Sequence, residues 1–158
     1  MIKKIAILFL LSACGFTPMH KKTVQETTQA NSILVKPISG KRGINLRQQL
    51  RESLSPTGDP KNPIYNVRIN LHPPRVGLRG LRQDATATWG TVIAKADYVI
   101  TKDGKEVLKS QETAFASYKV LSSVYSSMVG KEDSFDRATK TLGTQILSHI
   151  NTFLEKNK

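Results

Sequence analysis

Asp103-Gly104 stands between two long runs of strand-forming residues, and it constrains the fold more than any other pair in the chain. Upstream, Ala85 to Lys102 is rich in Thr, Val, Ile, Trp and Tyr; downstream, Glu106 to Val120 continues in kind. A two-residue Asp-Gly loop suits a hairpin because both central positions of the favoured turn need positive φ, which glycine adopts freely. In that register Lys95 faces Glu112 and Ile100 faces Val107. A hairpin this long is stable only if something else covers one of its faces.

The remaining segments supply that cover. Tyr65 to His72 alternates without a break: Tyr65, Val67, Ile69 and Leu71 point one way, Asn66, Arg68, Asn70 and His72 the other. That is the pattern of a half-buried strand. Pro73-Pro74 interrupts it, and the Arg- and Gly-bearing stretch from Arg75 to Asp84 reads as an exposed edge or loop. Ser32 to Ile38 predicts a short strand, bounded by Ser39-Gly40. Arg42 to Leu54 predicts a helix with Leu46, Leu50 and Leu54 on one face, stopped by Ser55 to Pro60. A last helix is expected from a cap at Asp133 or Ser134, with Asp136 in its first turn. Its apolar stripe is Phe135, Ala138, Leu142, Ile146, Ile150 and Phe153 or Leu154. The order β-α-β-β-β-α gives an α+β fold, a two-layer sandwich. In it a four-stranded, mostly antiparallel sheet carries two amphipathic helices on one face, as a single domain over residues 32–158.

The N-terminal segment has a different purpose. Lys3 and Lys4 precede the apolar run Ile5 to Leu11, and Leu11-Ser12-Ala13-Cys14 follows. A charged start, a short apolar stretch and small residues at a cleavage point read as an export signal, too short to cross a bilayer as a helix. Leu-Ser-Ala-Cys resembles the bacterial lipobox, in which a diacylglyceryl group is joined to the cysteine and the peptidase cuts before it. This accounts for Cys14, the only cysteine. Residues 1–13 are then a lipoprotein signal peptide, and 14–31 a lipidated N-terminus and polar tether. Gly15, rather than an aspartate, favours the outer membrane.

Net charge is +12, of which Lys3 and Lys4 contribute two, leaving +10 from Cys14 onward. Between Lys41 and Arg82 nine Lys or Arg stand against Glu52 and Asp59. Such a field attracts polyanions; with an export signal in front, these are envelope lipids, phosphorylated glycolipids and acidic protein surfaces rather than nucleic acid. No nucleophile elbow, phosphate loop or paired metal-ligand spacing appears, and His20, His72 and His149 are scattered. The expectation is therefore a binding protein: no enzyme, no cofactor, no metal. Arg75, Arg79, Arg82 and Lys95 are candidates for an anionic ligand, chosen from charge and placement, and Arg68, Asn70 and Trp89 for a partner interface. Trp89 is otherwise a core anchor. His149, near the end of a helix, reads as a surface residue.

Cys14-Gly15-Phe16 at the mature start, the element order, and the hairpin from Ala87 to Val120 with Ala96-x-Tyr98 and Ser117-Tyr118 together resemble the lipopolysaccharide-assembly lipoprotein family (LptE), in its shorter branch. The resemblance implies an outer-membrane lipoprotein, facing the periplasm, that sits inside the lipopolysaccharide-export barrel, helps it fold, plugs its lumen and binds lipopolysaccharide. The implied partners are that barrel protein, lipopolysaccharide, and the membrane through the N-terminal lipid. Two other readings stand beside it: a lipoprotein regulator of a peptidoglycan enzyme, and a double-stranded RNA-binding module of similar element order.

Overall fold

A computed structural model describes residues 32–81 and 87–157. The signal, Cys14, the tether and Arg82 lie outside the described residues. The elements are β1 (Ile33–Val35), α1 (Lys41–Leu54), β2 (Tyr65–Leu71), β3 (Arg75–Leu81), β4 (Ala87–Lys102), β5 (Lys105–Lys119) and α2 (Val124–Lys156). The α+β sandwich holds, with one strand more than the four expected: five strands form one mixed sheet. The added strand is Arg75–Leu81, read in the sequence as an edge or loop.

β4 organises the sheet. β5 runs antiparallel along one edge, from Lys102↔Lys105 to Trp89↔Lys119. β2 and β3 share the other edge end to end: β2 takes Ala96 to Lys102 and β3 takes Ala87 to Ile93. Pro73 and Pro74 separate them, because proline offers no N–H to continue a ladder. β1 adds to β2 in parallel. The hairpin turn is the one the sequence specifies, with φ of 50° at Asp103 and 77° at Gly104. The register differs by one beyond it. A bulge between Ile100 and Thr101 brings Lys95 opposite Thr113, Ala96 opposite Glu112 and Ile100 opposite Leu108.

Both helices lie on one face. Leu46, Leu50 and Leu54 of α1 and Phe135, Ala138, Leu142, Ile146 and Ile150 of α2 are buried against Val67, Ile69, Val92, Ala94, Ala96, Tyr98, Ile100, Ala114 and Ala116. The small pair Ala94↔Ala114 at the middle of the β4–β5 ladder leaves room for α2 to lie close. Arg42 ties the helices together: it pairs with Glu132 at 2.6 Å and stacks on the Phe135 ring at 4.4 Å. His149 is half exposed, as a surface residue should be, but its Nδ1 also meets Glu112 at 2.8 Å and the Tyr98 hydroxyl at 3.1 Å. Burial of Tyr98 pushes its phenol above the ordinary value; the Glu112 charge adds to this and a Ser110 hydrogen bond opposes it.

α2 begins ten residues before Ser134, at Val124, with Ser123 as its cap. Ser134, expected as a cap, is instead buried inside the helix, donating to Gly130 O at 2.9 Å and lying 3.2 Å from Ser117 O.

Candidate binding face

The side of the sheet away from the helices is open. Strand alternation selects what it shows: Arg68, Asn70 and His72 from the β2 run, Arg75 and Arg79 from β3, alternate residues from Trp89 to Thr101 on β4, and Lys109 to Lys119 on β5. Directly opposed residues in a ladder share a face. The pairings therefore build cross-strand rows: Arg79–Trp89–Lys119, Arg75–Ile93–Phe115 and Arg68–Val99–Lys109. Trp89 is 50% exposed and Phe115 61%. Each row sets an apolar or aromatic group beside at least one cation.

The row Asn70–Asp97–Gln111 places one acid, Asp97, at the middle of this face, and Glu106, opposite Thr101, places another near the hairpin turn. Asp97 Oδ2 lies 2.7 Å from His72 Nε2, and Gln111 Nε2 donates to Oδ1 at 2.5 Å. The Gln111 hydrogen bond, then that of His72, holds the carboxyl below the ordinary aspartate value; partial burial opposes this, and the charges of His72 and Lys95 assist. A depressed carboxylate pKa contributes stability above the unfolded value and loses it as pH falls through the folded one. This contribution is thus present at neutral pH and disappears in the acid range below the usual aspartate pKa. Gln111→Ala should move the Asp97 carboxyl midpoint upward in an NMR titration; an unmoved midpoint would refute the assigned cause.

Where β2 ends, a recess of about 510 Å³ is lined by His72, Pro73, Pro74, Arg75, Ile93 and Lys95. A second, of about 390 Å³, is lined by residues that include Lys36, Asn66, Arg68 and Val99. The first presents two fixed cations around an apolar floor, which suits a phosphate carried on an apolar or sugar body. A guanidinium grips phosphate with a fork of donors and an ammonium acts as a point charge.

No protein-family model matches the chain, and no curated protein matches it in sequence. Solved structures do. A lipoprotein of Caulobacter crescentus CB15 aligns with a TM-score of 0.64 at 21% identity, over 84% of this chain and 96% of that one. A minor lipoprotein of Acinetobacter baumannii gives 0.62 at 20% identity, over 77% and 92%. Rare lipoprotein B of Shewanella oneidensis gives 0.62 at 12% identity, over 80% and 98%. The chain has the fold of these lipoproteins.

On that fold, Arg75, Arg79 and Lys95 share the open face with Arg68, Asn70 and Trp89, so the two groups of candidates chosen from sequence form one surface. Arg82 lies outside the described residues. Trp89 is on the open face, not in the core. Sequence reasoning missed Phe115, Lys109 and Lys119, because a hairpin register without the bulge sends alternate β5 residues to the wrong face, and Ile93, because its neighbour Arg75 was not read as a strand residue.

Proposed function

We propose that the protein is an outer-membrane lipoprotein that assembles with the lipopolysaccharide-export barrel, plugs its lumen, and binds lipopolysaccharide during delivery. The observation that carries this reading is the open sheet face: cationic, studded with single apolar groups, on a fold shared with bacterial lipoproteins. Cys14 would supply the anchor; two or more acyl chains hold a protein where one does not. The helices take up the apolar face of the sheet, leaving a polar one to meet the wall of a water-filled barrel. Arg75 and Lys95 would hold phosphates of the glycolipid, and Ile93 and Phe115 would meet its apolar portion. This is a binding role, without bond-making chemistry.

A photo-crosslinker at Arg68 or Asn70, both exposed, is expected to capture an outer-membrane barrel protein. One at Val67, fully buried beneath the helices, should capture nothing intermolecular. Depletion should lower both the folded barrel and surface lipopolysaccharide. Crosslinks to a peptidoglycan enzyme alone, with barrel and lipopolysaccharide unchanged, would replace this reading with the regulatory one.

A further inference from the structure

α2 is longer than the core it packs on. Its buried residues begin at Ser134, yet the helix starts at Val124. Those extra turns amount to ~15 Å of helix. They are not polar. Val124 is 78% exposed, Tyr125 76%, Met128 60% and Val129 51%, and Leu121 just ahead is 42% exposed. At helical spacing Val124 and Met128 continue the stripe that is buried further along as Phe135, Ala138, Leu142 and Ile146, with Tyr125 at its edge and Val129 on the side of Asp136. One apolar stripe is thus covered by the sheet for part of its length and projects uncovered beyond it.

The surroundings of the projection indicate what it meets. From Val120 to Gly130 there is no charged residue, and Lys119 and Lys131 flank the segment. No acid occupies the first turn, so the positive end of the helix dipole is left unopposed and favours anions. Part of the polar tip is paired within the chain. Ser123 Oγ accepts from Ser126 N at 3.4 Å, and Ser127 Oγ accepts from Leu121 N at 2.8 Å and donates to Leu121 O at 3.0 Å. The first-turn N–H groups of Val124 and Tyr125 are left to meet lipid headgroups, which suits a tip lying at the interface rather than in the hydrocarbon. Five side chains fall short of the ~800 Å² per partner of a standard protein interface, whereas an interfacial helix needs only an apolar face and flanking cations. No helix of the described residues is long and apolar enough to cross a membrane, so this one would lie in the surface.

We infer that the first two turns of α2, with Leu121, form a bilayer-docking tip selective for anionic phospholipid, a second membrane contact besides the N-terminal anchor. The tip stands at the Trp89–Lys119 end of the sheet, while β1 enters at the other, where Ile33 pairs with Tyr65 and Tyr65 with Lys102. The stretch from Cys14 to Asn31 could span at most ~60 Å, enough for anchor and tip to reach one bilayer.

The test uses the full chain in vesicles. Trp89, the only tryptophan, is changed to Phe, and Tyr125→Trp or Thr141→Trp places a single reporter on the tip or on the solvent side of the same helix. In phosphatidylethanolamine–phosphatidylglycerol vesicles with brominated acyl chains, the reporter at 125 should be quenched several-fold more than that at 141. Adding Met128→Ser and Val129→Ser, or using phosphatidylcholine alone, should remove most of that difference. Equal quenching at the two positions overturns the proposal, and so does equal quenching in neutral and anionic vesicles. A reporter at 125 shielded from aqueous iodide but untouched by brominated lipid would assign the stripe to a second copy or a protein partner instead.

Discussion

Ile146→Ala is expected to destabilise the protein by ~3 kcal/mol and Val124→Ala by less than ~0.5 kcal/mol, although both belong to one apolar stripe of one helix. Ile146 is fully buried and Val124 78% exposed. Truncating the first removes buried methyl groups and leaves a cavity that the β4–β5 ladder cannot collapse to fill. Truncating the second removes surface that water already reaches. Urea midpoints at constant m-value read the difference directly. Comparable losses at the two positions would mean that the start of α2 is covered within the folded chain, and would also remove the basis for a docking tip.

This contrast marks where the sequence stops being informative. Periodicity identified the buried stripe of α2 and all three buried leucines of α1, because helix packing repeats every three to four residues. It did not place the start of α2. Asp133, Ser134 and Asp136 look like a cap and an acidic first turn, yet Ser134 is buried mid-helix and Ser123 caps. The helix passes through Gly130 and four serines, residues that local propensity counts against it. β3 was lost for a similar reason. Val76 and Leu78 alternate with Arg75 and Arg79, but Gly77 and Gly80 break the run. The strand exists because half of one β4 edge is left open by β2, which no local pattern reports.

The binding face shows how one residue redirects a surface. The inward residues of β4 are even-numbered, Val92 to Ile100, and those of β5 are too, Ala114 to Tyr118. A two-residue loop pairs 102 with 105, so that even-numbered positions oppose odd ones. The two apolar sets can share a face only if one residue is inserted, and the bulge inserts it, with Val107 left 41% exposed. Without the bulge Trp89 would oppose Tyr118; with it Trp89 opposes Lys119 and Tyr118 turns inward. The parity was present in the sequence. The cations Arg75 and Arg79 were also visible there, but their alignment with Ile93, Phe115 and Trp89 required both the bulge and β3.

That inward turn of Tyr118 sets up the second large effect. Gly90 sits on the covered face of β4, directly opposite Tyr118 and Leu78. The Tyr118 ring lies over it, and a Cβ at position 90 would run into Cζ, Cε1 and the hydroxyl of that ring. Gly90 has no positive φ, so alanine meets no backbone strain and any cost is steric. Gly90→Ala is expected to cost ~2 kcal/mol or more, as an overpacked core does, because Tyr118 is 8% exposed and must leave its place or push the strands apart. Gly77→Ala on the open face is the control: nothing lies within 4 Å of its added methyl, and it should be neutral or slightly stabilising. Tyr118→Phe should not rescue Gly90→Ala, since Cζ and Cε1 remain. Tyr118→Val should, making the double variant much less destabilised than the sum of the single changes. Additive losses, or a Gly90→Ala protein as stable as Gly77→Ala, would show that the ring does not occupy this position, and the bulged register that pairs Trp89 with Lys119 would fall with it.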